Sequence, residues 1–177
     1  MSICQFTGEE EIAINKKTDY LNLINAVENL LDSEHHELSI LANSAALIKM
    51  FMRNVNWAGF YLLKGDLLIL GPFQGKPACN PIRTGTGVCG KCVEARKTIV
   101  VPNVHEFEGH IPCDEATNSE IVIPIFIDDE IYGVLDLDSK QFNRFSTVDR
   151  RFLEQITVII ARGIKKAKEV NPDVSLV

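Results

Sequence analysis

Two pairs of apolar runs in this chain are each separated by only two residues, and that spacing limits the possible folds more than any other feature. NWAGFYLLK is followed across Gly65 and Asp66 by LLILGPF, and SEIVIPIFI is followed across Asp128 and Asp129 by EIYGVLDLD. Runs rich in β-branched and aromatic residues read as strands. A two-residue link closes a hairpin but has no room for the helical crossover that a parallel pair requires. The expected sheet is therefore antiparallel.

Helical periodicity flanks these runs. From Asp19 to about Ser33, Leu23, Val27, Leu30 and Leu31 recur at helical spacing, and Leu38, Leu41, Ala45, Ile48 and Met52 repeat the pattern. VCGKCVEARK is expected as a short helix, TIVVPN as a strand and residues 103–118 as a polar loop. A last helix is expected to open at Ser146, where Ser146 and Asp149 match a capping box, and to run through Phe152, Ile156, Ile159 and Ile160. The fold class is α+β, an antiparallel sheet flanked by N-terminal and C-terminal helices. A length of 177 residues suits one core. The expected organisation is a tail over 1–18, one domain over 19–168 and a second tail over 169–177.

No apolar run reaches the roughly 18 residues of a membrane span, and MSICQFTGEEEIAINKK is acidic where a secretory signal is basic and then apolar. Neither a membrane nor a secretory route is expected, and the expected location is the cytoplasm. The net charge is −6 and the basic residues are scattered, so nucleic acid is not an expected partner.

Five cysteines in such a chain read as reduced thiols, catalytic groups or metal ligands rather than as a disulfide framework. Cys79, Cys89, Cys92 and Cys113 follow C-x9-C-x2-C-x20-C, while Cys4 stands apart in the N-terminal tail. Structural zinc usually takes two close ligand pairs and here there is one, so no metal is expected. His105 and His110 could supply missing ligands, but loop histidines are more often solvated. GTGVCG, residues 85–90, satisfies G-x-G-x-x-G, yet Pro77 and Pro81 precede it where a dinucleotide fold needs a buried parallel strand. Its glycines read instead as a tight loop entering a helix.

Strand alternation places Val134, Asp136 and Asp138 on one face with Leu135 and Leu137 on the other, and it places Glu120 with Val122 and Pro124. Three converging acids can hold an ammonium group, or keep one member protonated as a proton donor. Trp57, Gly59 and Tyr61 share a face, and Phe73 could extend it. Alone this pattern means core packing; beside acids, rings and carboxylates together can hold an amino acid. Cys89 lies near a helix N-terminus, which favours a thiolate, whereas Asp114 and Glu115 oppose one at Cys113. The residues alone name Cys89 as the more acidic thiol.

NWAGFY, LILGPFQGKPAC, GTGVCG, VPNVHEFEGHIPCD, SEIVIPI and GVLDLDS, in this order over about residues 20 to 165, resemble the free methionine-(R)-sulfoxide reductases, stand-alone GAF-domain enzymes. The resemblance implies reduction of the R epimer of free methionine sulfoxide by thiol chemistry. It also implies electrons from thioredoxin, no metal or organic cofactor and, often, a homodimer. It casts Cys113 as the attacking cysteine, Cys89 as its disulfide partner and Cys79 as a further resolving candidate. Glu120, Asp136 and Asp138 match the substrate-site acids, and Trp57 and Tyr61 the aromatic wall. Two positions depart from the family pattern: Cys92 stands where a small residue without a thiol is usual, and Pro112 in HIPCD restricts Ile111 and removes a backbone donor before Cys113. Cys92 is expected to be buried rather than to join a thiol relay. The alternative function is a GAF-type sensory module that binds a small molecule without catalysis.

Overall fold

The computed structural model describes residues 8–172, with side chains from residue 16 onward; Cys4 lies outside the described residues. In chain order the elements are α1 (Gly8–Ser33), α2 (Glu37–Phe51), β1 (Trp57–Lys64), β2 (Leu67–Gln74), β3 (Ile82–Arg83), α3 (Gly87–Ala95), β4 (Ile99–Val101), β5 (Ser119–Ile127), β6 (Glu130–Ser139) and α4 (Thr147–Val170). The strands form one sheet in the order β3-β2-β1-β6-β5-β4, and every neighbouring pair is antiparallel.

Both two-residue links close hairpins. Lys64 faces Leu67, and Ile127 faces Glu130 across Asp128 and Asp129, whose φ values of 50° and 65° place both in the left-handed backbone region that such a turn requires. The two hairpins then join through β1 and β6, with Trp57 opposite Asp138 and Gly59 opposite Asp136. That pairing brings residues more than 60 positions apart in the chain into the middle of the sheet.

Alternation sorts the strand residues between two cores. Ala58, Phe60, Leu62, Ile121, Ile123, Ile125, Leu135 and Leu137 pack under α1, α2 and α4. Trp57, Tyr61, Val122 and Val134 face the other way, toward Val88, Cys89, Cys92 and Val93 of α3. Each fully buried aliphatic side chain contributes roughly 1.5–3 kcal/mol relative to exposure, so the larger core anchors the fold. The predicted capping box is present at α4: the Ser146 hydroxyl accepts the Asp149 N–H, and the Asp149 carboxylate accepts the Ser146 N–H.

Some boundaries differ from the sequence expectation. α1 begins at Gly8 rather than at Asp19, and α4 continues to Val170, so helix extends beyond both ends of 19–168. Apolar periodicity reports only the packed part of a helix, whereas Glu, Ala and Lys propagate it without packing. In α2 the buried stripe runs through Ile40, Leu41, Ser44, Ala45 and Ile48, and Leu38 is 54% exposed. The strand β3 has only two residues, too short for a periodic signal. The loop expected over 103–118 contains a 3-10 turn at Val104–Glu106. No helix among the described residues is long and apolar enough to cross a membrane.

Candidate functional site

The sheet face opposite the long helices carries the acids. Register sets Glu120 against Asp138 and Val122 against Asp136, so Glu120 and Asp136 are diagonal neighbours on one face. Glu120 is 6% exposed and Asp136 7%, while Asp138 is half-buried. Burial, followed by the charges of Asp136 and Asp138, raises the Glu120 carboxyl well above its usual range. Burial likewise raises Asp138, with Asp136 and Asp114 adding to it. Asp136 rises to about 7 through burial, moderated by hydrogen bonds that it accepts from the Cys89 thiol and the Glu120 carboxyl. No lysine or arginine among the described residues offsets these shifts.

Burial and the facing acids thus favour the neutral form of Glu120, while Asp136 is brought up to about 7. One Asp136 oxygen, Oδ1, is buried without a hydrogen-bond partner. Orphaned buried oxygens are costly, and in native sites they commonly await a ligand. His110 completes the rim: its Nε2 is 3.8 Å from Glu120 Oε2, and burial followed by His105 lowers its pKa, favouring the neutral ring.

The aromatic wall is continuous. Trp57 stacks on Tyr61 at 6.0 Å between ring centroids and on Phe73 at 5.4 Å. Gly59 permits this, because a Cβ there would lie 2.4 Å from Phe73 Cβ and 2.6 Å from the Trp57 ring. The Trp57 ring itself fills the space expected between two rings. Both wall residues also hold the segment that carries Cys79: the Trp57 indole N–H donates to the Lys76 carbonyl at 3.0 Å, and the Tyr61 hydroxyl donates to the Cys79 carbonyl at 2.9 Å.

Cys79 and Cys113 form a disulfide with their Cα atoms 5.5 Å apart, whereas Cys89 and Cys92 are free and buried. The bonded partner of Cys113 is therefore Cys79, not the Cys89 named first by resemblance. An ion pair ties the two cysteine segments together: Lys76 Nζ donates to Asp114 Oδ1 at 3.0 Å, and the Ala116 N–H donates to the same oxygen at 3.0 Å. Those two contacts hold the Asp114 carboxyl below its usual range. The negative charge beside Cys113 is consequently already engaged.

The α3 N-terminus does not make Cys89 an acidic thiol. Burial raises the thiol well above the ordinary range, and the charges of Asp136 and Glu120 add to that effect. The N-terminus of the nine-residue α3 does not offset loss of water and two facing acids. Cys92 is buried as expected, and its Sγ donates to the carbonyls of Lys97 at 3.3 Å and Val122 at 3.6 Å, with burial raising it to about 12. The four cysteines do not assemble a zinc set, since two are bonded to each other and a third is capped by carbonyls. The group that converges is different: Cys89, Glu120 and Asp136 place ligand atoms within 4.8 Å of one another.

The expected residues Trp57, Tyr61, Cys89, Cys113, Glu120, Asp136 and Asp138 all line one cavity of about 40 Å³, with Cys79 bonded at its rim. His110, expected in solvent, has a side chain only 15% exposed and faces the acids. Its one sequence cue is the neighbouring Ile111, whose side chain packs over Gly87. Gly87 adopts φ 62°, and the glycine run turns the chain into α3, not around a phosphate. A larger hollow of about 940 Å³, lined by Tyr20, Phe51, Arg53, Lys140 and Arg144 among others, contains no cysteine.

Residues 32–165 match the family model for a GAF domain. The chain is similar to the free methionine-R-sulfoxide reductase of Escherichia coli (strain K12), with 46% identity over 143 residues covering 81% of this chain and 87% of that protein. It is similar to the structure of fRMsr of Staphylococcus aureus in complex with substrate, with TM-score 0.78 and 48% identity over 82% of this chain and 95% of the other. It also resembles the free methionine-R-sulfoxide reductase from Neisseria meningitidis in complex with its substrate, with TM-score 0.84 and 32% identity over 96% of this chain and 99% of the other.

Proposed function

This chain belongs to the free methionine-R-sulfoxide reductase family of GAF-domain proteins, and from that membership we propose that it reduces free L-methionine-(R)-sulfoxide with Cys113 as the attacking thiol. The observation that carries the proposal is the shared cavity: Cys113 lines it together with Glu120, Asp136, Asp138 and the Trp57–Tyr61 wall.

In this reading the substrate ammonium is held by Asp136, through its unpartnered Oδ1, and by Asp138. The aromatic wall packs against the side chain. Glu120, whose neutral form burial and its acidic neighbours favour, donates to the sulfoxide oxygen and makes sulfur more electrophilic. Cys113 attacks that sulfur, a Cys113–substrate bond forms, and oxygen passes to the cysteine as methionine departs with the electron pair. The resulting sulfenic Cys113 is attacked by the Cys79 thiol, which forms the disulfide and releases water. A dithiol of the thioredoxin class, available in the cytoplasm, reduces the disulfide and returns both thiols. No metal or organic cofactor takes part.

The disulfide also bears on substrate access. A cavity of about 40 Å³ accommodates about one water molecule, far less than an amino acid. Reduction of Cys79–Cys113 and displacement of the 76–79 and 109–114 segments would therefore precede each binding event. A sensory module, the alternative class, assigns no task to the Cys79–Cys113 pair.

The deciding experiment is a single turnover of Cys113→Ser with free methionine-(R)-sulfoxide, in which no methionine should form. Release at the wild-type level would overturn the assignment. A parallel assay with thioredoxin, comparing free R, free S and peptide-bound sulfoxide, should yield turnover on the free R epimer alone.

A further inference from the structure

We propose that Cys89, Glu120 and Asp136 form an inhibitory site for a thiophilic divalent cation of the zinc(II) type, with the imidazole of His110 as fourth ligand. The three ligand atoms already lie within 4.8 Å of one another. With zinc–oxygen and zinc–nitrogen bonds of about 2.0–2.1 Å and a zinc–sulfur bond of about 2.3 Å, tetrahedral ligand atoms stand roughly 3.3–3.8 Å apart. Closing the cluster on an ion therefore requires shifts of only about 1 Å. His110 stands outside that group of three, with its Nε2 3.8 Å from Glu120 Oε2, so its ring must turn toward Cys89 and Asp136 to become the fourth ligand.

A second observation points to a cation independently of the clustering. Asp136, 7% exposed and lining the cavity, leaves its buried Oδ1 without a partner. A volume of about 40 Å³ admits an ion but no large complex. Donor chemistry narrows the class: one thiolate, two carboxylates and one imidazole suit zinc, whereas magnesium and calcium require more oxygen ligands. Ligation uses the Cys89 thiolate and both carboxylates, so binding expels protons to solvent and the affinity rises with pH.

The site differs from nonspecific capture of metal by reactive thiols. Cys89 is free while Cys79 and Cys113 are bonded, so the ligand set is intact in the disulfide form. Its effect on turnover rests on the proposed reductase reading: ligation of Glu120 and Asp136 removes the proton donor and an ammonium acceptor, and the ion competes with sulfoxide.

The test uses the disulfide form of the full chain carrying Cys4→Ser, titrated with cobalt(II) under argon as a spectroscopic substitute for zinc. A thiolate-to-cobalt absorption band and tetrahedral visible bands are expected to saturate at a single equivalent and to vanish when zinc is added. Cys89→Ser should abolish the thiolate band, Asp136→Asn should weaken binding roughly tenfold or more, and Cys92→Ser should leave the spectrum unchanged. Absence of the band in the parent protein, its survival in Cys89→Ser, or its loss in Cys92→Ser overturns the site. Activity is read separately: cobalt binding without any sulfoxide turnover would retain the metal site and discard the reductase reading. Turnover that zinc inhibits without competing with sulfoxide would discard the regulatory role.

Discussion

Asp149 and Asp136 are both buried carboxylates, yet their surroundings move them in opposite directions. Asp149 is fully buried at the start of α4, where burial alone would raise its pKa. Hydrogen bonds from Lys16, Ser146 and Tyr20 outweigh that and bring it down to about 2, and Arg144 Nη1 adds an ion pair at 2.9 Å. Asp136 has only a thiol and another carboxyl as neighbours, and burial takes it up to about 7. Burial by itself therefore does not distinguish a structural acid from a functional one. The presence or absence of cations in the surrounding shell does.

The strongest way to break this comparison is Asp149→Ala. It would leave Lys16, Arg144 and the Tyr20 hydroxyl facing an unfilled site, and urea unfolding should show a loss of about 3–5 kcal/mol. A loss below about 1 kcal/mol would mean that the network is solvated and the contrast is false.

The pH dependence of stability sharpens the same contrast, because the two acids act on opposite limbs. Between about 2 and 3.8 the unfolded chain binds a proton at Asp149 that the folded chain does not, so stability falls as pH drops through that window. Between 3.8 and about 7 the folded chain holds a proton on Asp136 that the unfolded chain has lost, so stability falls as pH rises. Asp136→Asn should accordingly stabilise the protein by about 1 kcal/mol at pH 7, with the gain fading toward pH 4, while kcat/KM for free sulfoxide drops about 100-fold. An equal gain at both pH values, or unchanged kinetics, would count against the role given to Asp136.

The smallest expected effect is at Tyr61. Its hydroxyl bonds a backbone carbonyl in the Cys79 segment, not a charged core partner, so Tyr61→Phe should cost only about 0.5–1.5 kcal/mol. Disulfide formation after a single turnover should slow in this variant as the Cys79 segment loosens. Unchanged thiol loss, followed by a thiol-reactive dye, would show that the bond is not a positioning contact.

Local chemistry accounts for what was legible in the amino-acid order. Two-residue links allow only hairpins, period-two alternation separates Leu135 and Leu137 from Asp136 and Asp138, and Ser146 with Asp149 writes its own helix start. The resemblance added a ranking of thiols, and there the observed bond departs from it: Cys113 is joined to Cys79. His110 was hidden because its one apolar neighbour, Ile111, does not by itself reveal which way a loop side chain turns.

The sequence by itself determined the antiparallel sheet, its two-faced patterning and the acids that share a face, because these follow from steric periods and turn lengths spanning a few residues. Only the tertiary structure decided which carboxylates have cations beside them, that Cys89 is sealed from water among acids, and that Lys76 reaches Asp114 to draw two cysteine segments together. Those outcomes depend on distances between distant parts of the chain, and both desolvation and charge coupling are set by such distances.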